Sequence, residues 1–379
     1  MKMYEIPVLL LTGYLGSGKT TLVNRILKNE RGIKFAVIVN DIGEVNIDAN
    51  LIESGGVVGQ KDDSLVALQN GCICCTLKMD LVQQLSEIAT MRKFDYIVIE
   101  ASGICEPAPI AQTISAYPQM YPQYAKDGIA KLDAIVTVVD ALRMRDEFKN
   151  GNDLMAKDLG EDDLASLVIQ QVEFCNMVLL NKASEVKPEE LAKLKEIIRA
   201  LQPQAEILEC NYGDISLEKI LNTHLFDFDK VSTSAKWIEA IEDHEEEEDG
   251  EVSGEALEYG ISTFVYSRRP AFNLGLFDEF VARKWPKSII RCKGMCYFRD
   301  EPDTCYVFEQ AGKQVGLRNA GQWYATMSKE ELKQFMEQNP GLRQDWDEHY
   351  GDRMQKLVFI GQDLDKKAIA AELDKCLEA

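Results

Sequence analysis

The chain has 379 residues, more than one typical domain, so we expect two domains. It carries 63 acidic and 42 basic side chains, a formal net charge of −21, and so acidic a body repels phosphate backbones, which excludes nucleic acid as a partner. No apolar run approaches the ~20 residues that span a bilayer, so we also expect no membrane partner.

The first part of the chain alternates short apolar runs with helical patterns, which is typical of a parallel sheet covered by helices. The proline-rich stretch 104–130 is expected to be a loop with one short helix. The first strand is too short, and too soon followed by glycines, for a signal peptide, so we expect a cytoplasmic protein. The predicted strands are 6–12, 34–39, 65–69, 95–100, 133–139, 177–180 and 206–209, and the predicted helices are 19–29, 77–91, 163–173, 187–201 and 216–222.

The character of the sequence changes near residue 229. Residues 242–251 hold eight acids, and a tract of like charges is typical of a solvated linker. We therefore predict a first domain at 1–228, an acidic flexible linker at 229–257 and a smaller α+β domain at 258–379. The strands predicted in that last domain are 258–266, 288–298, 304–309, 313–318 and 354–360, and its helices are 272–284, 328–338 and 365–377.

A phosphate-binding motif follows the first strand. Residues 13–20, Gly-Tyr-Leu-Gly-Ser-Gly-Lys-Thr, fit G-x-x-x-x-G-K-[ST] between a strand and a helix. Glycines allow backbone N–H groups to turn toward phosphate oxygens, and the following helix N-terminus adds positive potential. The motif predicts a P-loop NTPase, an α/β fold with a mainly parallel sheet. The expected nucleotide-binding residues here are Gly13, Gly16, Ser17, Gly18, Lys19, Thr20 and Thr21.

Two further strand ends supply candidate ligands. Lys19 is expected to reach the β- and γ-phosphates, and Thr20 to bind Mg²⁺ together with Glu100, which ends a buried strand. Gly103 follows as a residue able to move with the γ-phosphate. Asp is the common magnesium-binding residue at this position. The alternative for Glu100 is therefore an ordinary acidic residue at the end of a strand, with no role in binding Mg²⁺.

Base recognition is predicted at Asn181 and Lys182, which occupy the first two places of the guanine-reading N-K-x-D pattern. Position 184 holds Ser where the pattern has Asp, and a hydroxyl accepts fewer and weaker hydrogen bonds than a carboxylate. Glu185 is an alternative acceptor. We therefore expect GTP to be preferred over ATP with reduced discrimination.

A cysteine cluster lies between these nucleotide motifs. Cys72, Cys74 and Cys75 follow Gly71, which permits the turn that lets three thiols converge on one ion. Three sulfurs suit Zn²⁺ or another transition metal such as Co²⁺, and they leave a fourth position for a partner's ligand. Buried apolar cysteines or a redox pair are the alternatives.

Taken together, these motifs resemble the CobW-like GTPases, relatives of the GTPases that mature urease and nickel hydrogenase. The shared order is G-x-x-G-x-G-K-T-T, N-[DE]-x-G-E, G-C-x-C-C, E-x-S-G and N-K, and the stretch 260–325 resembles the family's C-terminal domain. The resemblance covers nearly the whole chain. Where members carry a histidine-rich tract, this chain has an acidic run and only three histidines.

The resemblance implies a GTP-hydrolysing metallochaperone that delivers its ion, zinc by preference, to a metal-requiring client protein. It implies that residues 40–44 form a first switch, in which Asp41 belongs with the catalytic residues Lys19, Thr20 and Glu100. Glu44 is then a candidate fourth ligand of the transition metal. A solvated loop is the alternative for either acid.

The order of the motifs suggests that nucleotide and metal binding are coupled, since the cysteines lie between the first switch and a second switch at 100–105. No activating arginine or glutamine is identifiable, so we expect slow intrinsic turnover. A metal store or sensor with little turnover is the main alternative, and a small-molecule kinase is a third. The physiological metal, the client and the oligomeric state stay open, including whether the chain forms a homo-oligomer.

Of the seven cysteines outside the cluster, four invite comparison with it: one follows Gly103 and three lie in the last domain. Cys105, just past Gly103, is expected to be a buried thiol, with an approach to the metal cluster as the alternative. Cys292, Cys296 and Cys305 lie on predicted strands at a spacing that matches no zinc pattern, so we expect them to be core residues.

Overall fold

The computed structural model describes residues 4–39, 78–149, 162–228, 260–312, 314–338 and 346–377. Over these residues the chain forms two compact units, one with a six-stranded sheet and the other with a five-stranded sheet. None of the helices described is long and apolar enough to cross a membrane. The whole of the predicted linker, 229–257, lies outside these ranges, so the domain boundaries stay a prediction.

The six-stranded sheet is entirely parallel, with the order β2-β3-β1-β4-β5-β6. Its strands β2, β3 and β5 are buried along their whole length, because the sheet is covered on both faces and the strands are continuous apolar runs. The predicted α/β class is confirmed. The strands are β1 (Glu5–Thr12), β2 (Phe35–Val39), β3 (Tyr96–Glu100), β4 (Ile129–Asp140), β5 (Met177–Asn181) and β6 (Glu206–Glu209).

Helices connect these strands, and four of them begin within one residue of their predicted start. The fifth predicted helix, 216–222, is wrong: only a 3₁₀ turn forms, at Leu217–Lys219. The helices are α1 (Lys19–Leu27), α2 (Lys78–Met91), α3 (Pro107–Met120), α4 (Ala141–Lys149), α5 (Asp162–Glu173) and α6 (Pro188–Leu201).

The prediction of a loop at 104–130 is wrong over α3, which runs for 14 residues. Pro107 stands in the first turn, where a missing N–H costs nothing, and Pro118 stands in the last turn. The buried residues follow a helical spacing and form the apolar face of the helix, which the prolines made hard to recognise in the sequence. They are Pro107, Ile110, Ala111, Ile114 and Tyr117.

Helix α4 was not predicted, although its sequence contains a start signal. The Asp140 carboxylate accepts a hydrogen bond from the Arg143 backbone N–H at 3.1 Å, the usual contact of an N-capping aspartate. Asp140 is also the last residue of β4, so strand and helix follow one another without a loop.

The second sheet is entirely antiparallel, with the order β10-β9-β8-β11-β7. Its strands are β7 (Ile261–Arg268), β8 (Ile289–Phe298), β9 (Glu301–Ala311), β10 (Gln314–Gln322) and β11 (Gln355–Gln362). The helices of this unit are α7 (Leu274–Glu279), which continues as a π-helical segment over Phe280–Lys284, α8 (Lys329–Gln338) and α9 (Lys366–Asp374). The predicted α+β character is confirmed.

An aromatic core in this second unit contains Cys292 and Cys296, while Cys305 packs in a smaller cluster with Tyr297 and Trp323. Cys292 and Cys296 are 0% exposed and pack with Phe264 and Phe359. Burial raises the pKa of the Cys305 thiol to about 11, which disfavours the thiolate that metals bind. Within the described parts of the chain no group of three metal-ligating side chains occurs. The prediction that these cysteines are core residues is confirmed.

Candidate functional site

The predicted phosphate loop connects β1, in the middle of the parallel sheet, to α1. Gly13, Gly16 and Gly18 all have positive φ, at 134°, 82° and 109°. A Cβ on Gly13 would stand 2.3 Å from the Val138 carbonyl oxygen, and one on Gly18 would stand 2.3 Å from the Asn181 side-chain nitrogen. Only glycine permits this close approach of backbone and neighbouring strand ends.

Lys19 holds its positive charge inside the loop. Its Nζ donates to the Gly13 carbonyl at 2.7 Å and to the Tyr14 carbonyl at 3.2 Å, and the residue is only 5% exposed. Ser17 is fully buried and its backbone N–H donates to Tyr14 O at 3.1 Å. Thr21 is exposed on the first turn of α1. A curled backbone around an ammonium group suits an anionic ligand such as a phosphate.

Thr20 and Glu100 meet as the sequence predicts. The Thr20 hydroxyl donates to a Glu100 carboxylate oxygen at 2.8 Å. This contact follows from the parallel register, because Glu100 ends β3 opposite Leu11 of β1, one residue before that strand ends. A hydroxyl and a buried carboxylate at the mouth of a phosphate loop are the hard oxygen donors that Mg²⁺ prefers.

The segment after Glu100 lies directly against the loop. A Cβ on Gly103 would stand 2.7 Å from the Leu15 backbone nitrogen, so this glycine permits the contact. The buried Gln171 amide donates to the Cys105 carbonyl at 3.2 Å and to the Gly103 carbonyl at 3.5 Å. Gln171 was not predicted from the sequence, because its partners are more than sixty positions away.

Cys105 itself is 1% exposed, in agreement with the expected burial. Its sulfur is disulfide-bonded, however, so the prediction of a free thiol is wrong. The sequence does not predict this bond, since nothing in the residues around Cys105 indicates a disulfide.

Asn181 joins the end of β5 to the phosphate loop. Its amide nitrogen donates to the Ser17 carbonyl at 2.9 Å, and its amide oxygen accepts from the Gly213 backbone N–H at 3.2 Å. The side chain therefore ties the loop that follows β1 to the loop that follows β6. This position suits a residue that sets the distance between a phosphate site and a base site.

Lys182 adopts a left-handed conformation, with φ 58°, and its ammonium group pairs with the Asp140 carboxylate. Asp140 is 5% exposed, and its backbone N–H and carbonyl both bond the Tyr14 hydroxyl of the phosphate loop. Asp140 was missed as a site residue. Its place at the end of a buried strand, four strands into the chain, was the signal that could have identified it.

The remaining predicted residues lie outside the described part of the chain. They are Asp41 and Glu44 of the first switch and Cys72, Cys74 and Cys75 of the cysteine cluster. Their roles stay predictions. The residues that can be placed form one continuous site at the carboxyl edge of the sheet, with a glycine-lined cradle, a buried ammonium group and an oxygen pair. This donor set fits a nucleotide phosphate with Mg²⁺.

Comparison with known proteins also indicates a nucleotide-binding site. Residues 7–209 match the family model "CobW/HypB/UreG, nucleotide-binding domain", and residues 261–377 match "Cobalamin synthesis protein cobW C-terminal domain". The zinc-regulated GTPase metalloprotein activator 1 of Dictyostelium discoideum is 36% identical, over 98% of this chain and 80% of that protein. The zinc chaperone CobW of Pseudomonas aeruginosa is 28% identical, over 98% and 92% of the two chains. The zinc chaperone YjiA of Escherichia coli is 32% identical, over 62% and 66%.

Proposed function

Because this chain is a GTPase of the CobW/HypB/UreG family, we propose that it carries a transition metal on Cys72, Cys74 and Cys75 and delivers it to a client protein under nucleotide control. The observation that carries the proposal is the contact between the phosphate loop and the segment that follows β3, where Gly103 lies against Leu15. A change of the bound nucleotide in the phosphate loop would therefore first alter this contact between Leu15 and Gly103.

Different groups of the site bind different parts of the nucleotide. Backbone N–H groups and Lys19 hold the β- and γ-phosphates, while Thr20 and Glu100 offer oxygens to Mg²⁺, which when bound neutralises phosphate charge. Asn181 keeps the loop in register with the base site through the Ser17 carbonyl. These contacts position the nucleotide, and slow intrinsic hydrolysis is the expected rate until a client or another group completes the site.

Zinc is the metal we favour as cargo, since relatives are named zinc chaperones and a zinc-regulated activator. Three thiolates leave the coordination shell of Zn²⁺ open at one position, which a donor needs if the ion is to leave. Cobalt is the alternative ion for the same sulfurs. The cysteines lie in sequence between the two proposed switches, so nucleotide-dependent movement of either switch can alter the metal site.

The proposal is tested by measuring zinc affinity through chelator competition, with the protein loaded with a non-hydrolysable GTP analogue and then with GDP. We expect the two affinities to differ by about tenfold, the usual scale of coupling between sites. Cys74→Ala should abolish the difference. Cys376→Ala, which removes a buried thiol from the second unit, serves as the matched control and should preserve it. Equal affinities in the two nucleotide states would contradict nucleotide control.

The magnesium assignment makes a separate prediction for Glu100→Gln. The amide keeps the size of the carboxylate but loses its charge, so the Mg²⁺ concentration for half-maximal GTP hydrolysis should rise by about tenfold or more. Titrating Mg²⁺ at saturating GTP measures it. Glu106→Gln, at an exposed glutamate six residues away, should leave the requirement unchanged. A normal requirement in Glu100→Gln would mean that the carboxylate serves only the Thr20 hydroxyl.

A further inference from the structure

The residue at the guanine-reading position has a partner that the sequence does not predict. Ser184 lies in the 3₁₀ turn Ala183–Glu185, directly after the Asn181–Lys182 pair. Its backbone N–H and its hydroxyl both approach the side-chain oxygen of Asn211, at 3.0 Å and 2.8 Å. Ser184 is exposed, so the rest of its hydroxyl oxygen is open to a ligand.

This pair of contacts determines where the hydroxyl proton points. A backbone N–H can only donate, so the Asn211 atom that faces it is the amide oxygen, which can only accept. The Ser184 hydroxyl bonds the same oxygen and must therefore donate its one proton there. Only lone pairs remain on the exposed side of the hydroxyl, so toward a ligand Ser184 is a pure hydrogen-bond acceptor.

Neighbouring backbone bonds hold Asn211 in place. The preceding residue, Cys210, donates its N–H to the Leu180 carbonyl at 3.0 Å and accepts at its own carbonyl from the Ala183 N–H at 3.2 Å. Beyond Asn211, the Gly213 N–H bonds the Asn181 side chain at 3.2 Å. Asn211 is thus held against the end of β5, the strand whose Asn181 is hydrogen-bonded to the phosphate loop.

We propose that Ser184 and Asn211 together recognise the base and select 6-oxopurine nucleotides, with Asn211 as the positioning residue that makes Ser184 an acceptor. This inference rests on the GTP binding proposed above. Guanine presents a ring N–H donor to such an acceptor, whereas adenine presents a bare ring nitrogen that is itself an acceptor. Two acceptors repel, and neither nitrogen nor oxygen gains a hydrogen bond.

The Ser184–Asn211 pair also predicts that only one of the two hydrogen-bond donors on this edge of guanine is recognised. A carboxylate accepts from both the ring N–H and the exocyclic amine of guanine, whereas one hydroxyl oxygen in this geometry serves one of these donors. The hypoxanthine base of ITP has the ring N–H without the amine. ITP should therefore bind within about threefold of GTP, since the bond it lacks is not made.

The test is a competition of GTP, ITP and ATP against a fluorescent GDP analogue on the full-length protein. We expect Asn211→Ala to lower the preference for GTP over ATP by about tenfold, because the freed hydroxyl can turn and donate to adenine. Asn211→Asp, which keeps an accepting oxygen, should retain the preference. Ser184→Asp should raise the preference for GTP over ITP by about tenfold, since a carboxylate reaches both donors.

Ratios of affinities separate this role from a loss of structure, because a misplaced loop weakens all three nucleotides together. Gln204→Ala, at an exposed amide in the loop before β6, is the matched control and should change no ratio. Unchanged ratios in Asn211→Ala, or a wild-type preference for GTP over ITP well above tenfold, would overturn the inference. Failure of the wild-type protein to bind any nucleotide would overturn the proposed function instead.

Discussion

Replacing Lys19 with alanine should lower GTP turnover by about 100-fold or more, the scale seen when a preorganised donor is removed from a developing charge. The Lys19 ammonium is 5% exposed and is held by two carbonyl oxygens of the loop. It therefore needs little reorganisation to meet a phosphate. Single-turnover hydrolysis and nucleotide affinity, measured on the same preparation, separate lost catalysis from lost binding.

Lys28→Ala is the matched control for this experiment, because it removes an equal charge from an exposed lysine just after the same helix. Its turnover should equal that of the wild-type protein. Lys19→Arg should recover only part of the activity, since the guanidinium is bulkier than the ammonium group that the Gly13 and Tyr14 carbonyls hold. Normal turnover in Lys19→Ala would contradict the assignment of the loop.

Replacing Asp133 with alanine should cost about 3 kcal/mol of stability, because it leaves the buried Tyr96 hydroxyl and two partly buried backbone N–H groups without their acceptor. Asp133 is 2% exposed, and its carboxylate accepts from the Tyr96 hydroxyl at 2.5 Å, the Thr223 N–H at 3.0 Å and the His224 N–H at 2.6 Å. Burial, with the Asp133 charge beside it, raises the pKa of Tyr96, so the phenol stays a donor.

Urea unfolding followed by far-UV circular dichroism measures this loss. No tryptophan lies before position 237, so tryptophan fluorescence does not report on the first unit and serves as an internal comparison. Tyr96→Phe should cost about 1 kcal/mol, because it removes one of these bonds and leaves the carboxylate in place. Asp127→Ala, at an exposed aspartate of the same unit, should change stability by less than about 0.5 kcal/mol. A small effect of Asp133→Ala would show that water replaces the carboxylate.

Asp133 also explains the failure of the predicted helix at 216–222. The two N–H groups that it binds, with the Phe226 N–H on its own backbone carbonyl at 2.8 Å, hold residues 223–226 in an irregular path. Asn222 and His224 adopt positive φ there, at 54° and 53°, which no continuing helix allows. The helical pattern of Ile220 and Leu221 instead places two apolar side chains in the core.

Structural features that depend on residues close together in the sequence were predictable. Apolar runs placed β2, β3 and β5, because a strand buried on both faces must be apolar along its length. The phosphate loop was predictable because its conformation is encoded by its own glycines, whose missing Cβ atoms permit positive φ and close contact. The full length of helix α3 was not predictable in this way, because its prolines interrupt the apolar spacing that indicates a helix.

Contacts between distant strand ends were decided by the tertiary structure. Asn211 meets Ser184 from 27 positions away, and Asp140 pairs with Lys182 from 42 positions away. Each pair meets because the carboxyl ends of neighbouring parallel strands share one edge, and the order of strands in the sheet is not written in any local pattern. The motifs therefore identify which ligand the site takes, while the folded sheet assembles the side chains that orient and discriminate it.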